Sequence, residues 1–377
     1  MRILLDARYL SSLHSGIGRY SQCLVENLAR LDSENEFQVV VHESFRGRLE
    51  LADNFQIVRR TALPVSLRSL LPAPRAFRRQ KYDIWHSFFP LAPLTLSTPL
   101  LVTLHDLQPF WDPDFHGRRP RPIRWAYEKF YRIIYPATLR LARWIIVNSE
   151  ATRMGLREFF PDVVDKAIVV PLGLSESSRQ LPDEEEIERV KRRYKIAWPF
   201  LLYYGSTRPN KNLPRLVEAF AMMRHEHPEA EDTRLVLAVA ADRFFADVQA
   251  RIRLEKIQEY VQILQPVSES ERKALLRLAR VFCFPSRYEG FGFPVLEAQA
   301  MRTPVLASTS RALPETGGDG ALYVDPLDTE AMAEGLWRLL SDESLRDSLI
   351  ERGQANCQRF SWAEHARQTL DIYSLLF

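Results

Sequence analysis

The run Glu289-Gly-Phe-Gly-Phe-Pro-Val-Leu-Glu297 sets two carboxylates, two glycines and a proline in a spacing that suits a sugar phosphate. Gly290 and Gly292 carry no Cβ, so the backbone there can come close to a ligand. Pro294 fits the first turn of a helix, where its missing N–H costs no hydrogen bond. The unpaired N–H groups of such a helix start favour a phosphate or an oxygen-rich sugar. Glu289, in the turn, and Glu297, about one turn inside the helix, can each accept hydrogen bonds from sugar hydroxyls. A strand–turn–helix whose glutamates merely cap and face water has the same composition. The carboxylate pair alone leaves that blander reading in front.

The elements that must position this run repeat along the chain. Strand candidates at 3–7, 37–42, 83–88, 100–106 and 144–148 alternate with helical spacings such as Tyr20, Leu24, Leu28 and Leu31. Several are continuous in Val, Ile and Leu, as in a parallel sheet covered on both faces. The pattern then restarts, with strands at 200–205, 235–240, 261–264, 281–285 and 304–308. Asn212 is placed to cap a helix from Leu213, and Ser268 with Glu271 reads as a capping box. The polar stretch 175–186, SESSRQLPDEEE, is the linker candidate. Two doubly wound α/β domains are expected, with ligands at the carboxyl ends of their strands.

Composition agrees. A chain of 377 residues exceeds the ~250–300 at which single cores stop growing. No apolar run reaches the ~18–20 residues of a membrane span, and the start lacks a signal-peptide pattern. Three unclustered cysteines, Cys23, Cys283 and Cys357, imply neither a disulfide framework nor a zinc site. Cys23 and Cys283 sit among apolar residues and read as buried thiols in a reducing cytoplasm. The net charge of +3 divides into +7 over residues 1–180 and −4 over the rest, which points to different partners for the two halves.

The full string PSRYEGFGFPVLEA resembles the Glu-x7-Glu signature of glycosyltransferase family 4, retaining enzymes of the GT-B fold. The likeness extends along almost the whole chain: SGIGRY at 15–20, VTLHDLQPF at 102–110, VNSEATR at 147–153, VVPLGL at 169–174, YYGSTRPNKNLPRLVEAF at 203–220 and TPVLASTSRALPETGGDGALYVDP at 303–326. The resemblance implies two Rossmann-like domains facing a central cleft. An acceptor-side domain would span 1–178 and a nucleotide-sugar domain 179–360, with a helix at 361–377 crossing back to the first. It implies that Glu297 holds the donor ribose, that Glu289 lies beside the transferred sugar, and that backbone amides of Gly290, Phe291 and Gly292 meet sugar or phosphate. Lys211 matches the lysine paired with the diphosphate, and Arg208 can reach the same phosphates if its loop curls. A cation there is chemically apt, because negative charge grows on the departing diphosphate. His105 matches a family histidine that touches the donor sugar, and Gly16 and Gly18, opening a helix from Arg19, would lie near the donor phosphates or the acceptor. No metal or other cofactor is implied.

The GIGRY, VTLHDL and RPNKNLPRL combination looks most like mannosyltransferase-type members, which makes GDP-mannose the expected donor. The implied activity is retaining, metal-independent hexosyl transfer to a glycan or lipid-linked acceptor in surface polysaccharide or lipopolysaccharide synthesis. Other readings are a catalytically silent nucleotide-sugar-binding module and a GT-B sugar-nucleotide epimerase. The sequence departs from the family at Asn210, where arginine is frequent, at Gln265-Pro266, where a glycine is usual near the base pocket, and at Arg302, where many relatives have glycine. The stretch 117–144, GRRPRPIRWAYEKFYRIIYPATLRLARW, interleaves cations with aromatics, and 68–81 adds five further basic residues. That pattern suits an anionic membrane surface, and no nucleic-acid motif accompanies it. A cytoplasmic protein, peripheral on the inner face of the cell membrane, is expected.

Overall fold

All ten strand candidates form, and each half of the chain winds its own parallel sheet. The structure, a computed structural model, describes residues 1–12, 16–63, 66, 81–112, 115, 120–240, 242–265 and 267–376. By contacts the chain divides into two compact units, Met1–Gly173 with Phe360–Phe377, and Leu174–Arg359.

In the first unit the sheet order is β3-β2-β1-β4-β5-β6-β7. Its strands are β1 (Arg2–Asp6), β2 (Glu36–His42), β3 (Phe55–Arg60), β4 (Ile84–Ser87), β5 (Leu100–Leu104), β6 (Trp144–Val147) and β7 (Ala167–Val169), all parallel. The second unit has the order β10-β9-β8-β11-β12-β13. It comprises β8 (Phe200–Gly205), β9 (Arg234–Val239), β10 (Val261–Leu264), β11 (Val281–Phe284), β12 (Val305–Ser308) and β13 (Leu322–Val324), again parallel throughout. Each sheet winds outward from its first strand, then reverses, leaving a switch point between β1 and β4 and between β8 and β11. Central strands β4, β5 and β11 are buried along their whole length, and β5 and β11 accordingly read as almost wholly apolar runs, while β4 buries His86 and Ser87 as well. β3, β7 and β13 have no counterpart among the sequence candidates. All three are sheet edges, and β3 alternates Gln and Arg with its apolar residues.

Local signals behave as their chemistry dictates, with four corrections. Ser268 and Glu271 form the capping box, and Pro294 lies in the first turn of the Phe293–Ala300 helix. Asn212 occupies the cap position of the Leu213–Glu226 helix but does not cap it. Its φ is 62°, and its amide donates instead to the carbonyls of Pro285 at 3.2 Å and Pro326 at 2.7 Å. The stretch 175–186 is not an irregular linker, because Ser175 caps the helix Glu176–Arg179 and Asp183 caps the helix Glu184–Tyr194. Leu31 is 49 % exposed at the end of the Gly16–Leu31 helix, beyond the face that buries Tyr20, Leu24, Val25 and Leu28. Cys23 sits on the flank of that face and is only half-buried, whereas Cys283 and Cys357 are buried.

The Trp362–Ser374 helix packs against the Gly16–Leu31 helix within the first unit. Trp362 and His365 meet the Tyr20 ring edge-on, at 5.9 and 5.5 Å. The Tyr373 hydroxyl lies 2.7 Å from His86 Nδ1, and His365 Nδ1 donates to the Pro171 carbonyl at 2.9 Å. This return requires a glycine at 173: a Cβ there would stand 2.1 Å from the Trp362 backbone nitrogen. Gly173→Ala is therefore expected to destabilise the first unit by about 1–3 kcal/mol, as overpacking does. A thermal unfolding midpoint equal to wild type would contradict that packing.

Candidate functional site

The β8/β11 switch point is flanked by the two loops that carry the strongest sequence motifs. The loop after β8 ends in a 3-10 turn, Pro209–Lys211, and the loop after β11 leads to the Phe293–Ala300 helix. Hydrogen bonds stitch them together. Arg287 N–H donates to the Asn210 carbonyl at 2.7 Å, and the Asn210 amide donates to the Tyr288 carbonyl at 3.1 Å. Asn210 is thus a buried staple between the loops. Behind them, Thr207 binds the Asp242 carboxylate through its N–H at 3.0 Å and its hydroxyl, and Asp242 also accepts from Phe244 N–H at 2.8 Å. These bonds, together with the Arg208 charge, hold Asp242 below its ordinary range against the opposing effect of burial.

On this frame Lys211 Nζ donates to Glu289 Oε1 at 2.5 Å, with both side chains mostly buried, and stands over the Phe284 ring at 5.3 Å. Arg208 begins the same turn, which curls so that Lys211 N–H reaches the Arg208 carbonyl at 2.9 Å, while the Arg208 side chain is exposed. Gly292 has a φ of +124°, and a Cβ on it would stand 2.6 Å from Leu313 Cδ2, so only glycine fits before the helix. Phe291 is buried with its carbonyl held by the Thr316 hydroxyl at 2.8 Å, and Gly290 is half-buried beside it.

Glu297 is 6 % exposed and has partners of its own. The Tyr204 hydroxyl donates to Oε2, and the Arg272 guanidinium lies 3.4 Å from Oε1 and 5.2 Å over the Tyr204 ring. A shallow recess with room for about one water lies beside it, lined by Arg272, Lys273, Leu276, Glu297 and Met301 among others. Tyr204, Arg272, Thr207 and Asp242 escape a sequence reading. Tyr204 is one of two consecutive strand tyrosines, and Arg272 one cation on a helix rich in charge. At Arg302 φ is +57°, the left-handed region that favours glycine. Gln265 is exposed, and Pro266 lies outside the described residues.

The remaining candidates belong to the first unit. His105 follows β5; its Nε2–H donates to the Phe88 carbonyl at 2.9 Å, and its ring meets Tyr20 edge-on at 4.6 Å. Burial lowers its pKa to about 4, so the ring is neutral near pH 7, with Nδ1 as an acceptor. Gly16 and Gly18 lie inside the first turn of the Gly16–Leu31 helix, which starts three residues before Arg19. Gly16 is exposed and Gly18 buried, and Ser15 of the motif lies outside the described residues. No group of three or more His, Cys, Asp or Glu able to hold a metal occurs among the described residues.

Comparison with known proteins converges on one family. Residues 184–356 match the model for glycosyl transferases group 1, and residues 14–178 the model for Glycosyltransferase Family 4. The chain is 28% identical over 395 residues to O-antigen chain mannosyltransferase B of Escherichia coli, spanning 100% of both. It is 32% identical over 241 residues to MMP alpha-(1->4)-mannosyltransferase of Mycolicibacterium hassiacum, covering 62% of this chain and 55% of that one. Among solved structures it resembles a sucrose-phosphate synthase from Thermosynechococcus elongatus, with a TM-score of 0.77, 21% identity and coverage of 100% and 98%. It also resembles WaaG, a glycosyltransferase involved in lipopolysaccharide biosynthesis, with a TM-score of 0.73, 15% identity and 99% coverage of each. Two parallel-sheet units, the switch-point loops and both family matches lead to one assignment: the chain belongs to glycosyltransferase family 4 and has its GT-B fold.

Proposed function

We propose that the protein moves a mannosyl group from GDP-mannose to a glycan or lipid-linked acceptor, with retention of anomeric configuration, in surface polysaccharide or lipopolysaccharide synthesis at the inner face of the cell membrane. The observation that carries the proposal is the Lys211–Glu289 pair, stitched between two loops at the β8/β11 switch point. The mannosyltransferase names of the relatives from Escherichia coli and Mycolicibacterium hassiacum support the choice of sugar.

As the sugar–phosphate bond breaks, Lys211 exchanges Glu289 for the departing diphosphate, and the amides from Gly290 to Gly292 add further donors. Arg208 reaches the same phosphates. An acceptor oxygen bonds to the anomeric carbon on the face the diphosphate leaves, and its proton passes to a phosphate oxygen. Charge stabilisation and positioning drive this step, so no covalent nucleophile and no metal are called for. His105 presents a neutral ring to the sugar, and Gly16 and Gly18 let the first helix approach the donor or acceptor. Glu297 accepts from the ribose diol while Tyr204 and Arg272 hold its carboxylate in place.

Titration with common sugar nucleotides and incubation with lipid-linked acceptors tests the reading. GDP-mannose should bind most tightly, and the product should carry an α-linkage by nuclear magnetic resonance. Binding without transfer or turnover would leave a silent module instead. EDTA should leave the rate unchanged, whereas dependence on an added divalent ion would overturn the metal-free step. Glu297→Ala should raise the donor Kd at least about tenfold, the loss expected when a charged hydrogen-bond partner is removed. Unchanged donor affinity would reject ribose contact.

A further inference from the structure

The Arg121–Leu141 helix turns Tyr131, Tyr135, Thr138 and Leu139 inward, against the first sheet's core. Its opposite face is open. Trp125 is 62 % exposed and Ile133 61 %, with Lys129 between them at helical spacing and its ammonium 6.0 Å over the Trp125 ring. Arg121 and Arg132 lie exposed on the same stripe, and Ile123 is exposed on its flank. The helix has one acidic residue, Glu128, one turn before Arg132 and paired with Arg124 at 2.8 Å. The outward face therefore combines large apolar side chains with an excess of cations, the single carboxylate being neutralised by Arg124. No helix among the described residues is long and apolar enough to cross a membrane. The basic residues Arg68, Arg75, Arg78, Arg79, Arg118 and Arg119 lie outside the described residues.

We propose that this face, Trp125, Lys129, Ile133, Arg121 and Arg132, docks the protein on an anionic lipid surface. Trp125 and Ile133 enter the headgroup boundary, where an indole is favoured, while the three cations meet lipid phosphates. Charge complementarity selects the occupant: a neutral apolar partner would leave Lys129, Arg121 and Arg132 desolvated without counter-charge. The inference deepens the membrane location of the proposed function by naming the surface that makes the contact.

The test is flotation of the full chain with vesicles of phosphatidylglycerol and phosphatidylcholine, beside vesicles of phosphatidylcholine alone, at low salt. The wild type should float with the anionic vesicles, stay behind with the neutral ones, and be released by added salt. Lys129→Glu with Arg132→Glu should weaken flotation at least about tenfold, and Trp125→Ser with Ile133→Ser likewise. All four side chains are exposed, so unfolding midpoints and sugar-nucleotide binding should match wild type. No flotation of the wild type, or flotation of both variants as strong as wild type, would overturn the assignment. So would self-association that these substitutions abolish in the absence of any vesicle binding, which would give the face to a protein contact. Sugar-nucleotide binding, read on the same samples, fails only if the glycosyltransferase reading itself is wrong.

Discussion

Alanine in place of Lys211 should lower turnover at saturating donor by at least ~100-fold, since removing one fixed donor from a developing oxyanion costs about 2.7–4 kcal/mol. The lysine is well placed for so large an effect. Its backbone is fixed by the 3-10 turn, its side chain is mostly buried over Phe284, and the adjoining loop is anchored by Asn210. A cation held this way needs little reorganisation when charge appears on the leaving phosphate. The substitution also strips Glu289 of its partner at 2.5 Å, so unfolding must be followed on the same sample. A shift of a few degrees with turnover still collapsed would locate the effect in the chemical step. Near-normal turnover would reject the role of Lys211 outright.

Acid should unfold the first unit well before its carboxylates titrate. His86, His105 and His365 are all held neutral by burial, His105 and His365 down to about 4 and His86 well below its ordinary value. Geometry explains the resistance of His365, whose Nδ1–H serves the Pro171 carbonyl while Nε2 has no hydrogen-bond partner. A second proton would put a charge in a buried site, a cost that outweighs the help of the Pro171 and Val170 backbone. In the unfolded chain each ring takes its proton near pH 6.5, while the fold keeps His105 and His365 neutral until about 4 and His86 neutral well below its ordinary value. Stability is therefore complete above pH 6.5 and falls as pH drops towards 4, by up to about 1.4 kcal/mol per pH unit for each histidine. Summed over that window the loss reaches several kcal/mol, comparable with the whole stability of many domains. Denaturant midpoints measured from pH 7 to pH 4 should fall steeply, and a flat profile would refute the buried neutral cluster. His365→Asn keeps a donor for Pro171 and should reduce the slope by about one proton.

How much of the protein is legible without coordinates depends on what each residue's neighbours are. The largely apolar runs of β5, β8 and β11 announce central strands, because both faces are covered and nearly every side chain is selected for burial. Edge strands β3, β7 and β13 stay hidden because one side lacks a partner strand, which permits short or polar sequences. Capping at Ser268 is readable since donor and acceptor lie three residues apart. Asn212 misleads for the opposite reason: its amide serves Pro285 and Pro326, far along the chain, and only the folded loops bring them near.

The same division holds at the candidate site. Sequence alone determined the parallel α/β architecture and the turn at Gly292 and Pro294, because glycine at positive φ, proline at a helix start and apolar strand runs are requirements of local backbone physics, while Lys211, Glu289 and Glu297 were nominated by the likeness of their motifs to a family's. Tertiary structure alone decided their partners: Glu289 on Lys211, Tyr204 and Arg272 on Glu297, Asp242 on Thr207, and Tyr373 on His86 across 287 residues of chain. Hydrogen bonds and ion pairs act over about 3 Å in space, irrespective of distance along the chain, so residue spacing can nominate a group but cannot name what faces it.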